Sequence, residues 1–198
     1  MKDRRMIIAT ITEYGSDEDT EIGSRVLRSM ADSYMRRPAV ADEPMRMISV
    51  MANNDLALMR DTGERIECDA AVAFLYGSKA RFFLSGAAAA YHFEQGRLAH
   101  RTRREEGSVI GRAIRFEPTL EEAFTLKPGK NAILTASPGL GRSVSDRALE
   151  EALNESETPE EWMHHIEGLL APDTRFCAVA AFLPDEKPSL LRKLLRHE

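Results

Sequence analysis

The sequence has little cysteine and no long apolar run, and both shortages narrow what the chain can be. Two cysteines occur in 198 residues. Cys68 and Cys177 lie far apart, each within an apolar, strand-like run. They lack metal-ligand spacing and no disulfide framework is expected, so both read as buried, reduced thiols. No stretch approaches the roughly 18 apolar residues that a membrane-spanning helix needs, and the run Met6–Thr10 is too short for a signal peptide. Excess positive charge is missing as well. The net charge is −5, so no general attraction to nucleic acid or to an anionic membrane surface is expected. These readings together point to the cytoplasm. Internal repeats, a Gly-x-Ser-x-Gly elbow and calcium-loop spacing are absent, and Gly139-Leu140-Gly141 lacks the other glycines of a phosphate loop.

What is present is a hydrophobic fraction of 43% with 30% charged residues, the balance of a soluble globular domain with a real core. Residues 1–184 read as one domain and residues 185–198 as a linker with a short amphipathic tail helix. Met6 to Thr12 is a short β-rich run. Glu21 to Arg37 has helical spacing, with Ile22, Val26, Met30 and Tyr34 on one stripe. A second helix runs from Pro44 to about Thr62 before Gly63. The period then changes. Cys68 to Tyr76 and Lys79 to Leu84 read as strands joined by Gly77-Ser78. Tyr91-His92-Phe93, the tight turn Glu94-Gln95-Gly96 and Arg97 to His100 continue an antiparallel meander. Arg103 to Pro118 reads as a loop, Thr119 to Leu126 as one strand, and Asn131 to Ser137 as an apolar strand that Pro138 to Arg142 breaks. Ser143 or Ser145 caps a helix reaching Asn154. Thr158-Pro159-Glu160-Glu161 has the form of a capping box at the start of another helix. Phe176 to Leu183 is a last strand. This order suggests two packed antiparallel sheets with helices outside.

Several polar residues have plain structural accounts. Glu13, Asp17, Glu18 and Asp19 read as a solvated loop. Neighbouring His164 and His165 point to different helix faces and make no metal pair, and His92 reads as packed or exposed rather than catalytic. The methionines at 30, 35, 45, 47, 51 and 59 cluster on the two N-terminal helices. Core filling and an adaptable partner groove are both open.

The most telling segment is Gly86-Ala87-Ala88-Ala89-Ala90-Tyr91. Together with Gly96, Leu98 and Thr102 it resembles the Gly-Asp-Ser-Arg-Ala-Tyr hairpin of the PPM-type (type 2C) metal-dependent Ser/Thr protein phosphatases. Three further segments are in step with that family. Leu126 to Leu140 is similar to its Gly-Asp, apolar strand and Ser-Asp-Gly-Leu succession, with Ser137, Pro138 and Gly139 at Ser-Asp-Gly. Ser143 to Asp146 opens a helix just after it. Ala171 to Val179 resembles the run into the family's last strand.

The resemblance implies a four-layer α/β/β/α sandwich, trimmed at its N-terminus, and a cleft that in the family holds a pair of Mg²⁺ or Mn²⁺ ions on acidic side chains. The ligand positions are largely altered. Thr10 and Thr12 occupy the first strand, Ala87, Ala88 and Ala89 replace the polar middle of the hairpin, and Pro138 replaces the aspartate of Ser-Asp-Gly. Asp173 is the vestigial candidate, with Thr174 as its neighbour. The expectation is therefore no catalytic residues, no metal cofactor, and a pseudophosphatase that works by binding another protein. The alternatives are a divergent Mn- or Mg-dependent phosphatase using Asp173 and Glu13, and a structural subunit docking through Leu190 to Leu195.

Overall fold

A computed structural model describes residues 5–14, 21–60, 67–103, 108–112, 116 and 119–184. The acidic residues at 17–19 and the tail helix expected at 189–197 lie outside them. The described elements, in chain order, are β1 (Arg5–Tyr14), α1 (Glu21–Arg36), α2 (Asp42–Arg60), β2 (Glu67–Tyr76), β3 (Lys79–Ser85), β4 (Ala89–Glu94) and β5 (Arg97–Arg103). They continue with β6 (Thr119–Leu120), β7 (Phe124–Thr125), β8 (Asn131–Ala136), α3 (Pro138–Ser143), α4 (Asp146–Asn154), α5 (Pro159–Gly168) and β9 (Ala178–Leu183). No described helix is long and apolar enough to cross a membrane.

Two antiparallel sheets carry the fold. One has the order β1-β2-β3-β6, with β7 also on β3, and the other β5-β4-β8-β9. The strands at their centres are buried on both faces, which explains their near-continuous apolar runs. Alternation along β2 sends Cys68, Ala70, Val72 and Phe74 toward α1 and α2 and Ala71, Ala73 and Leu75 toward the other sheet. The expected α1 stripe of Ile22, Val26, Met30 and Tyr34 lies in that first layer. Helices α3 to α5 cover the outer face of the second sheet, where Trp162 packs edge-on to Phe93 at 5.3 Å and donates to Leu149 O. The result is the α/β/β/α sandwich the sequence led us to expect.

Small side chains set the layer between the sheets. Ala71, Ala73, Ala80, Ala88 and Ala90 share it with Ile8, Phe82, Leu84, Leu126, Ile133 and Leu183. The four-alanine run therefore packs on both sides of β4, because Ala89 faces the helices instead.

Four details differ from the sequence reading. Thr119 to Leu126 is two short strands, not one. Leu120 pairs with Phe83 but Phe124 pairs with Ala80, so one extra residue sits between the pieces and breaks the ladder. Pro138 to Ser143 is a short helix rather than a break, since proline is well placed at a first helical position. Cys177 is exposed, not buried. It precedes β9, an edge strand with one partner and much solvent. At α5 the capping reciprocity is displaced by one residue: Thr158 Oγ1 accepts from Glu161 N, while the Glu161 carboxylate accepts from Glu157 N. The α4 cap is Ser145, whose hydroxyl accepts from Ala148 N.

Candidate functional site

The Gly86 segment links β3 to β4 and passes from one sheet to the other. It lies at the end of the sandwich where β1, β2, β8 and α3 also meet. Gly86 has φ +65°, and a Cβ there would run into the Asp69 carboxylate. Gly86 N donates to Ser108 O at 2.9 Å. Ser85 Oγ donates toward Cys68 O and Ser108 O and accepts from Ile110 N, tying the segment to residues 108–110.

Asp69 is the main polar group of this end. It is 7% exposed, on the β2 face that looks toward the other sheet. Tyr14 Oη donates to its Oδ2 at 2.9 Å, and Ala87 N also donates to the carboxylate. Burial pushes the Asp69 carboxyl above its usual range, while the Tyr14 and Ala87 hydrogen bonds and the Arg112 and Arg142 charges pull it back. Tyr14 is pushed up to about 12, by burial first and then by the Asp69 charge and hydrogen bond. Glu67, two residues before Asp69 on the same face, is held in an ion pair with Arg112.

Deeper between the sheets lie threonines of β1 and β8. Thr10 Oγ1 lies 3.0 Å from Thr135 O and 2.9 Å from Thr135 Oγ1, all buried. Thr12 Oγ1 is buried with no hydrogen-bond partner. Ala88 and Ala89 are buried and Ala87 partly so. Ser137 is committed to structure: its N donates to Cys177 O and its Oγ accepts from Cys177 N at 2.9 Å. Pro138 is buried at the start of α3, and a Cβ on Gly139 would strike Arg175 O, so α3 presses closely on the loop before β9. Asp173 is exposed in the turn closed by Thr174 N and Ala171 O. Glu13 faces α1, where its Oε1 accepts from Gly23 N at 2.6 Å. The structure thus brings Thr10 to Thr135 and Gly86 to Asp69, and leaves Asp173 at the surface and Glu13 in a helix-start contact.

The sequence reading missed Asp69. Its signal was a single carboxylate inside an otherwise apolar strand run, a placement that burial makes costly without donors. It also missed a second cluster. Among the described residues, His92, Glu94 and His100 form the one group of three potential metal ligands whose donor atoms all lie within 4.8 Å of one another.

No family model matches the sequence, and no curated protein matches it. The structure is informative where sequence comparison is not. The catalytic domain of the serine/threonine protein phosphatase PstP, in complex with two manganese ions, superposes with a TM-score of 0.73 at 18% identity, over 90% of this chain and 88% of that one. The chain has the PPM-type phosphatase fold. A bacterial serine phosphatase gives a TM-score of 0.77 at 13% identity, over 94% of this chain and 90% of that one. The S. agalactiae serine/threonine phosphatase gives 0.74 at 13% identity, over 89% and 86%.

A pair of divalent ions needs several clustered oxygen donors. At this end of the PPM-type sandwich the described residues offer two inward carboxylates, Asp69 held by Tyr14 and Ala87 and Glu67 held by Arg112. Among the described residues, these two do not make up the donor set of a two-metal centre.

Proposed function

We propose that this PPM-type fold is a pseudophosphatase, a protein without phosphoester hydrolysis that acts by binding another protein. The observation that carries the reading is the Thr10–Thr135 contact. Two hydroxyls hydrogen-bond across the sheets, within buried surroundings, where hydrolysis would require carboxylates and a metal-held water. Hydrolysis also needs compensation for phosphate charge during attack, and alanines occupy the hairpin positions that the family resemblance gives to polar residues. The partner side of the reading draws on α1 and α2. Met30 and Met45 are buried, but Met35, Met47 and Met51 are 47%, 56% and 48% exposed. Met47 and Met51 are four residues apart, so they share one face of α2. Such thioethers adapt to varied apolar surfaces.

A second reading, a divergent metal-dependent phosphatase, is favoured by one observation: Asp69 is a buried carboxylate flanked by Arg112 and Arg142 at the hairpin end. Hydrolysis of an aryl phosphate and of a phosphopeptide with Mn²⁺ separates the two. The expected result is no turnover above a boiled control. Turnover that falls in Asp69→Asn would replace the first reading with the second.

A further inference from the structure

The His92–Glu94–His100 cluster sits on the β4–β5 hairpin, at the end of the sandwich away from Gly86. From Ala88 to Glu94 the chain advances about 20 Å along the strand. His92 and Glu94 are two residues apart on β4 and so share a face. His100 pairs directly with His92 across the hairpin, and the register shifts immediately beyond that pair, where Phe93 meets Leu98. Bulges of this kind re-aim side chains. All three groups face the layer between the sheets, where Phe124 stacks on His100 at 4.3 Å and on His92 at 4.9 Å.

The hydrogen bonding around His92 fixes its chemistry. Asn131 Nδ2 donates to Lys127 O and Gly129 O, each at 2.9 Å. Its Oδ1 is thereby oriented as an acceptor, so the 2.9 Å contact with His92 Nε2 is an N–H donated by the imidazole. A neutral ring protonated at Nε2 carries its lone pair on Nδ1. That Nδ1 is buried and has no hydrogen-bond partner, in a residue that is 0% exposed. Buried polar atoms are nearly always satisfied. An imidazole held by one nitrogen and bare at the other is the arrangement of a metal-ligating histidine with its outer-shell partner. Glu94 has one oxygen on Lys127 Nζ at 2.9 Å, which leaves the other free.

We propose that His92 Nδ1, a ring nitrogen of His100 and the free Glu94 oxygen form a binding site for a zinc-class divalent transition metal, with Asn131 as the group that orients His92. Ligand bonds of about 2.1 Å in a tetrahedron put donor atoms about 3.4 Å apart. One donor atom of each of the three side chains already lies within 4.8 Å of the others, against about 3.4 Å in the bound tetrahedron. The His100 ring lies parallel to that of His92, at 5.5 Å and 14°, and a nitrogen lone pair lies in its ring plane, so the exposed His100 must turn off its stack on Phe124, and the half-buried Glu94 swing with it, to reach an ion on His92. Two imidazoles and a carboxylate suit zinc, and three protein ligands leave one position for water or an exogenous group. The site is independent of the Gly86 end and of any reading of its activity.

The test is titration of the full chain with Zn²⁺ by calorimetry, with Co²⁺ as a spectroscopic probe, in a Cys177→Ser background so that the exposed thiol contributes nothing. The expected result is one ion per chain, visible-region Co²⁺ absorption of a four-coordinate nitrogen and oxygen site, and a Tm about 5–10 °C higher at zinc a hundredfold above Kd. His100→Ala should weaken binding by more than the ~10–100-fold typical of outer-shell changes while leaving the metal-free Tm within a few degrees, since His100 is exposed. Glu94→Gln should also weaken it. Absence of stoichiometric binding, or an affinity unchanged in His100→Ala, overturns the proposal.

Discussion

Gly86 and Asp69 share one space: the side chain that residue 86 lacks would occupy the position of the Asp69 carboxylate. The glycine is required twice over, by its φ of +65° and by this contact. Gly86→Ala should therefore destabilise the fold by more than the ~1–2 kcal/mol of a left-handed alanine alone. Adding Asp69→Ala to it should recover the steric part and leave the backbone part. Urea denaturation of both variants measures the two contributions.

The Thr10–Thr135 contact gives an asymmetric expectation. Thr10→Val should cost about 1–3 kcal/mol, because it leaves a buried hydroxyl on Thr135 without its partner. The double variant Thr10→Val with Thr135→Val replaces both hydroxyls by methyls of similar shape and should be less destabilised than the sum of the single changes. A thermodynamic cycle with a coupling near zero would show that the contact contributes nothing.

Asp69 should make stability fall with pH across the acidic range. Its carboxyl titrates above its ordinary value in the folded state, chiefly through burial. The folded protein therefore binds this proton more tightly than the unfolded chain does. The associated stabilisation is full below the unfolded pKa and is lost as pH rises through the folded one. Relative to wild type, Asp69→Asn should gain stability from about pH 4 upward. A stability difference that is flat between pH 3 and 7 would contradict this.

Alkaline titration offers a check on Tyr14. Tyr14 and Tyr34 are each pushed up to about 12, Tyr14 by burial and Asp69 and Tyr34 mainly by burial. Both favour the protonated, folded state, so stability should decline between pH 10 and 12. Ultraviolet difference spectra should show late-ionising phenol absorbance, part of which moves to lower pH in Asp69→Asn. No movement would mean that Asp69 does not act on Tyr14.

The sandwich was legible in the sequence because its signals are local. A helical stripe at Ile22, Val26, Met30 and Tyr34, a Gln95-Gly96 turn with positive φ at both residues, and the Thr158 cap each record a nearby constraint. Pairing irregularities were not legible. The extra residue that divides β6 from β7, and the solvent beside Cys177, depend on which strand lies next to which. The sites divide in the same way. The alanines of the hairpin could be read in line, whereas Asp69 acquires meaning only from Tyr14, 55 residues earlier. The three ligands on β4 and β5 needed the hairpin register, and the tautomer of His92 needed Asn131, 39 residues away.

Strand β4 joins two regions that share one apolar layer. Ala90 pairs with Thr135 at one end, His92 and Glu94 face Phe124 and Lys127 at the other, and Phe124 packs on the same interior cluster as Ala88 and Ala90. Sites joined through shared packed partners do not contribute independently to free energy. A change of volume in that shared layer, at Ala90 or Phe82, should therefore be felt at both ends of the strand.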